Sequence, residues 1–96
     1  MRNFNGKMVV YDLRETYSNV GKFHFKIVLG KSFKNGHEID IKMYDSKNEE
    51  MELTSETWGR KVNCEFTIPE SAQDGVHTVK IKLLDMIEVL QYWVIR

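Results

Sequence analysis

Apolar and polar residues alternate along most of this chain with a period of two, a pattern that predicts strands and not helices. In "KFHFKIVLG", Phe23, Phe25, Ile27 and Leu29 share one face, while His24, Lys26 and Val28 share the other. That is a half-buried antiparallel strand. "EIDIKMYD" puts Ile39, Ile41 and Met43 inward and Asp40, Lys42 and Tyr44 outward. "VNCEFTI" alternates as cleanly and stops at Pro69, the only proline, where a residue without a ladder donor belongs. "VHTVKIKLL" and "EVLQYWVIR" are the last two strands. "KMVVYDL" (7–13) is the first, β-branched but mixed in phase.

Turn residues and facing pairs suggest how these runs connect. Asn35-Gly36 inside "KSFKNGH" marks a turn. "SKNEEMELT" reads as a hairpin return from "EIDIKMYD", with Met51 and Leu53 inward. Pairing Met43 with Met51 leaves Ser46 to Asn48 as the loop. The same register sets Ile41 opposite Leu53 and Lys42 opposite Glu52, so apolar and opposite-charge pairs agree. "SETWGRK" is then a connection carrying Trp58 and Gly59.

The last two runs join around "DMIE". An even loop sets Leu83, Ile81 and Val79 beside Leu90, Tyr92 and Val94 on the core side. Thr78, Lys80, Lys82 and Leu84 then stand beside Ile95, Trp93, Gln91 and Val89 on the outer side. An odd loop would reverse the final strand and bury Trp93. The even register is the simpler hairpin.

Seven short runs, regular turn signals and no helical window predict one all-β domain over 1–96, a seven-stranded antiparallel β-sandwich. The expected sheets are the first, second and fifth runs against the fourth, third, sixth and seventh. Phe23, Phe25, Ile27, Ile39, Ile41, Met43, Cys64, Phe66, Val79 and Ile81 would lie between them. In "FTIPESAQDGVHTVKIKL" the carboxylates Glu70 and Asp74 could serve as acid and base. No nucleophile or metal-ligand cluster stands near them, so the stretch reads as a crossover with Gly75 supplying backbone freedom.

The segment "FTIPESAQDGVHTVKIKLLD" resembles the penultimate-strand region of bacterial immunoglobulin-like and fibronectin-III-like modules. In those families a strand ending in Pro passes through an acidic, Gly-ended loop into an alternating strand. The resemblance covers Val62 to Asp85 and implies an immunoglobulin-like sandwich. It departs at "DMIEVL", where many such modules have a Gly- or Asn-rich turn, and the paired cysteines and core tryptophan of antibody-type domains are missing. Such modules serve as spacers, adhesion modules, carbohydrate-binding accessories and phage-particle decorations. No functional residue carries over.

Charge narrows the partners. Fourteen basic and fourteen acidic residues cancel, which removes a whole-domain drive toward nucleic acid or an anionic membrane. Lys22, Lys26, Lys31 and Lys34 form a local basic region near Phe23, Phe25 and Phe33. Phe23 and Phe25 alternate inward, however, so solvated lysines at a sheet margin are the better reading. No apolar run is long enough to span a bilayer, and "MRNFNGKMVV" lacks the apolar middle of a signal peptide. The expected compartment is cytoplasmic for a complete protein and cell surface or secreted for an excised domain. The single cysteine, Cys64, reads as a buried free thiol.

Chemistry of other kinds has little to stand on. His24, His37 and His77 are spread too widely for a zinc site and read as solvated or locally hydrogen-bonded. Phosphate loops and Ser-His-Asp arrangements are not recognisable. The expectation is a protein that is not an enzyme, with no cofactor and no metal.

What stands out is the outer face of the third, sixth and seventh runs. It gathers Lys42, Tyr44, Lys80, Lys82, Leu84, Val89, Gln91, Trp93 and Ile95. Contiguous apolar surface on a small domain marks contact sites, and Trp is enriched in interface anchors. The plainer reading is that lysine stems shield Trp93. The expected function is protein–protein contact, self-association included, or structural spacing through this face. The alternative is carbohydrate binding, with Trp93, Tyr44 or Trp58 as stacking platforms.

Overall fold

The computed structural model describes residues 1–33, 39–84 and 86–96, and among these the chain is all-β with no helix. The strands are β1 (Arg2–Asn3), β2 (Met8–Tyr11), β3 (Thr16–Tyr17), β4 (Gly21–Leu29), β5 (Ile39–Tyr44), β6 (Leu53–Trp58), β7 (Lys61–Ile68), β8 (Gly75–Leu83) and β9 (Met86–Val94). These nine exceed the seven expected runs because β1 and β3 are two-residue segments, too short to show a period.

Two sheets form, in the orders β1-β2-β4-β7-β6 and β3-β9-β8-β5. Every pairing is antiparallel except β3 with β9. The polypeptide therefore changes sheet within its first strand region. Met8–Tyr11 pairs with β4, and Thr16–Tyr17 lies parallel to the end of β9.

The expected sheet partition needs one correction. The residues after Met51 do not return along β5. The near-turn register is as read, since Tyr44 bridges Glu50 and Met51 N donates to Met43 O at 2.8 Å. Asp45 Oδ1 tightens that turn by accepting from Lys47 N and Glu49 N, both at 2.9 Å. Beyond Glu50 the chain crosses to the other sheet, where Leu53 pairs with Phe66 and the ladder runs to Trp58↔Lys61. "SETWGRK" is thus mostly strand. Ile41 and Lys42 face Ile81 and Lys80, not Leu53 and Glu52. The crossing has a physical reason: it supplies β7, which carries the buried Val62, Cys64, Phe66 and Ile68, with a second ladder.

Both sheets feed one core. Met8, Val10, Phe25, Ile27, Leu29, Val62, Cys64, Phe66 and Ile68 come from the first sheet, and Tyr17, Met43, Val79, Ile81, Leu83, Leu90, Tyr92 and Val94 from the second. Tyr17 sits at the junction, its ring edge-on to Phe23 at 4.7 Å, Tyr92 at 5.1 Å and Phe66 at 5.6 Å. Aromatic pairs in this geometry contribute beyond their burial. Phe23, Ile39 and Ile41 are only partly buried and pack against the core from its margin.

The loop between β7 and β8 is pinned from the C-terminus. Arg96 donates from its side chain to Glu70 O and Ala72 O, and from its backbone N to Asp74 Oδ1 at 3.0 Å. Asp74 is therefore part of a connection, as the sequence suggested.

Candidate interaction surface

The outer face of the second sheet is built by the odd residues of β9 and the even residues of β8 and β5. Strand geometry alone dictates this, because successive side chains point to opposite faces. The β8–β9 ladder pairs Leu83 with Met86 and ends at Gly75↔Val94. Val79, Ile81 and Leu83 are buried together with Leu90, Tyr92 and Val94, and Trp93 points outward. The expected sidedness is thus present, but the facing pairs are shifted by four residues.

That shift corrects the composition of the surface. Trp93 lies opposite Val76 on β8 and Thr16 on β3, not opposite Lys80. Lys80 faces Val89 and Lys82 faces Ile87. Thr78, expected beside Ile95, faces Gln91. The cause is the tightness of the hairpin. It turns directly after Leu83, with Leu84 in the left-handed region at φ 55°, where the sequence offers no Gly or Asn to signal a turn.

The rows across the face are now defined. Asp40, Lys82 and Ile87 form one; Lys42, Lys80 and Val89 the next; Tyr44, Thr78 and Gln91 a third; and Val76, Trp93 and Thr16 the last. Leu84, Ile87, Val89, Trp93 and Ile95 are all between 50 and 55% exposed. Four of these line the outward side of β9 and its extension, interrupted only by Gln91. Lys42, Lys80, Lys82 and Gln91 are exposed, and Tyr44 is half-buried. Ile87 was missed in the sequence because it was assigned to the loop, although its odd parity with Val89 and Trp93 would have found it.

Trp58 does not belong to this surface. It is exposed at the end of β6, on the other sheet and beside Lys61. The basic region is similarly dispersed. Lys22 lies 3.7 Å from Glu65, and His24 Nε2 contacts Glu65 Oε2 at 2.8 Å on the outer face of the first sheet. Phe25 is buried, and Phe23 and Phe33 pack against the core. Lys34, His37 and the Asn35-Gly36 turn lie outside the described residues.

His77 is the residue most displaced from expectation. It is fully buried, in phase with Val79 and Ile81, and its Nδ1 lies 3.3 Å from Tyr92 Oη. Tyr92 Oη in turn donates to Met51 Sδ at 3.7 Å. Nε2 is buried without a hydrogen-bond partner. Burial dominates and lowers the His77 pKa below its usual value, with Gln73 and the Asp45 charge pulling the other way. The ring floors a cavity of about 200 Å³ between the Asp45–Glu49 turn and the Pro69–Gln73 loop.

The Cys64 thiol is also buried, and desolvation pushes its pKa up to about 12, so it stays protonated and unreactive near neutrality. Among the described residues no group of three or more His, Cys, Asp or Glu side chains is placed to hold a metal ion. No helix among them is long and apolar enough to cross a membrane. Comparison with known proteins finds no matching family model, no matching curated protein and no matching solved structure.

Proposed function

We propose that this chain is a non-catalytic, immunoglobulin-like β-sandwich module. It works by protein–protein contact, or as a spacer, through the outer face of β9, β8 and β5 around Trp93. The strand order supports the architectural half of this reading. With the two-residue β1 and β3 as short additions, the order β2-β4-β7-β6 against β9-β8-β5 is the one expected of the ABED and CFG sheets of a constant-type immunoglobulin sandwich.

One observation carries the functional half: the apolar stripe of Ile87, Val89, Trp93 and Ile95 stands half-exposed along β9 and its extension. An antiparallel sheet with one solvated face ordinarily turns polar residues outward. Leaving these four in water forgoes burial worth about 25 cal/mol for each Å² of apolar surface. A partner that covers them recovers it. The lysine row beside the stripe forms the polar rim that contact sites usually have.

The test is molar mass by light scattering, on wild type and Trp93→Ala, with Trp fluorescence followed during oligosaccharide titration. The contact reading expects a folded Trp93→Ala variant in which association is weakened, and no response to sugar. Quenching by oligosaccharide that disappears in Trp93→Ala would transfer the surface to carbohydrate recognition. Unfolding of Trp93→Ala would remove the surface altogether.

A further inference from the structure

Lys42 and Lys80 stand directly opposite each other on β5 and β8, and both are exposed. Like charges in that position repel across the ladder. The ion pairs among the described residues, Lys22 and His24 with Glu65, lie on the other sheet and relieve none of this. Lys82 follows on the same face of β8, opposite Asp40. Three lysines thus meet one aspartate in the two rows that run into Val89 and Ile87. The chain as a whole balances fourteen basic residues against fourteen acidic. The positive excess is therefore local to this face, and it adjoins the apolar stripe.

We infer that this face docks an acidic amphipathic helix of a different protein, its apolar side along β9 and its carboxylates over Lys42, Lys80 and Lys82. The inference rests on the contact-module reading and deepens it by naming the partner's chemistry. Charge selects the sign: carboxylates over the lysine rows offset the Lys42–Lys80 repulsion, and a basic partner would add to it.

Backbone hydrogen bonding selects the helix. An extended segment binds a sheet by adding to its edge. The β9 edge is already bordered by this chain: Thr16 and Tyr17 pair with Trp93 and Val94, and Met1, Arg2, Leu13, Arg14 and Glu15 surround Leu90 and Gln91. A segment lying on the face finds no backbone partner there, because the sheet's own hydrogen bonds run between its strands. It must satisfy its own backbone groups, as a helix does.

The dimensions agree. From Ile87 to Trp93 the strand runs roughly 20 Å at about 3.4 Å per residue, the length of a helix of about 14 residues. A helix about 10–12 Å across covers two strand spacings of about 4.8 Å, so one seated on β9 lays a flank over β8. Other occupants fit less well. The described residues hold no helix for a second copy to offer, and stacking two such faces presses lysine on lysine. Single-stranded nucleic acid binds on aromatic platforms, whereas Ile87, Val89 and Ile95 are aliphatic and Trp93 is the one ring of the stripe.

The experiment titrates the intact chain with a synthetic amphipathic helix of about 14 residues, Leu along one side and Glu along its flanks. A twin carries Gln in place of Glu. Amide NMR shifts locate the contact and calorimetry gives Kd. The Glu peptide should shift the amides of Lys80, Lys82, Val89 and Trp93, and should bind more weakly as salt rises. Lys80→Glu sets opposite charges across from Lys42 and should fold at least as firmly as wild type. It should raise Kd about tenfold or more, and Trp93→Ala should raise it too. Equal affinity for the two peptides, or no weakening in Lys80→Glu, overturns the acidic partner and leaves the contact face standing. Shifts away from the face, with Kd unchanged in Trp93→Ala, overturn both readings. No binding of the Glu peptide overturns the inference, and binding of phosphatidylglycerol vesicles in its place would assign the lysines to a lipid surface.

Discussion

His77 and Tyr92 face each other across the β8–β9 ladder, their rings 5.2 Å apart and His77 Nδ1 3.3 Å from Tyr92 Oη. This pair places two titratable groups inside the core, beside the buried Tyr17 and Cys64, and it gives the fold a defined pH window.

For His77, burial lowers the folded-state pKa below the unfolded value of about 6.5. The unfolded chain thus binds the proton more readily. Stability is full above about pH 6.5 and falls as the pH drops below it, by at most about 1.4 kcal/mol per pH unit. Tyr92 bounds the other side. Burial first, then Tyr17 and Asp45, raises its pKa, so its contribution is complete below about pH 10 and is lost at higher pH. Urea midpoints measured from pH 4 to pH 8 should show the acid loss in wild type and a flatter profile in His77→Gln. An unchanged slope in that variant would remove His77 as the cause.

Gly75 opens β8 at φ 144°, a conformation that side chains rarely adopt, and a Cβ there would stand 2.8 Å from the Ser46 Cβ. Gly75→Ala should therefore destabilise by about 1–3 kcal/mol. Adding Ser46→Gly should recover only the contact part, because the backbone strain remains. Full recovery in the double variant would mean that the φ angle itself costs nothing.

Leu84 carries the opposite opportunity. It is exposed, and it holds φ 55° without the side-chain hydrogen bonding that lets Asn tolerate that region. Leu84→Asn should raise the urea midpoint by an amount worth about 0.5–1 kcal/mol, with the m-value unchanged. A loss of stability would show that Leu84 makes apolar contacts worth more than its strain.

Alternation made sidedness legible and left pairing ambiguous. Trp93 could be placed outside from the phase of Leu90, Tyr92 and Val94, since a shift of four residues moves no side chain to the other face. The same invariance hid the true neighbours of Trp93, and only the turn at Leu84 decides them. The crossing after Glu50 was hidden for a similar reason, because Leu53 meets an apolar neighbour in either sheet, Ile41 or Phe66. His77 was legible and overlooked, since it falls in phase with Val79, Ile81 and Leu83. Tyr17 was not legible: it lies in "ETYSNV", where no alternation surrounds it, and its burial depends on β3 crossing to the second sheet.

Tyr92 and Trp93 together offer the sharpest check on that phase. They are adjacent in sequence and opposite in burial, at 1% and 53% exposure. Tyr92 contacts Tyr17, Phe66 and His77, so Tyr92→Ala leaves a cavity and strands the His77 ring without its partner. The expected cost is about 3–5 kcal/mol, a large share of the roughly 5–15 kcal/mol that holds a small domain folded. Trp93→Ala removes the larger side chain and should cost about 1 kcal/mol or less, because its outer half is already in water. Chemical denaturation of both variants reads the difference directly. A reversed order would put Trp93 in the core and Tyr92 outside, and the apolar stripe on β9 would then be an inner face.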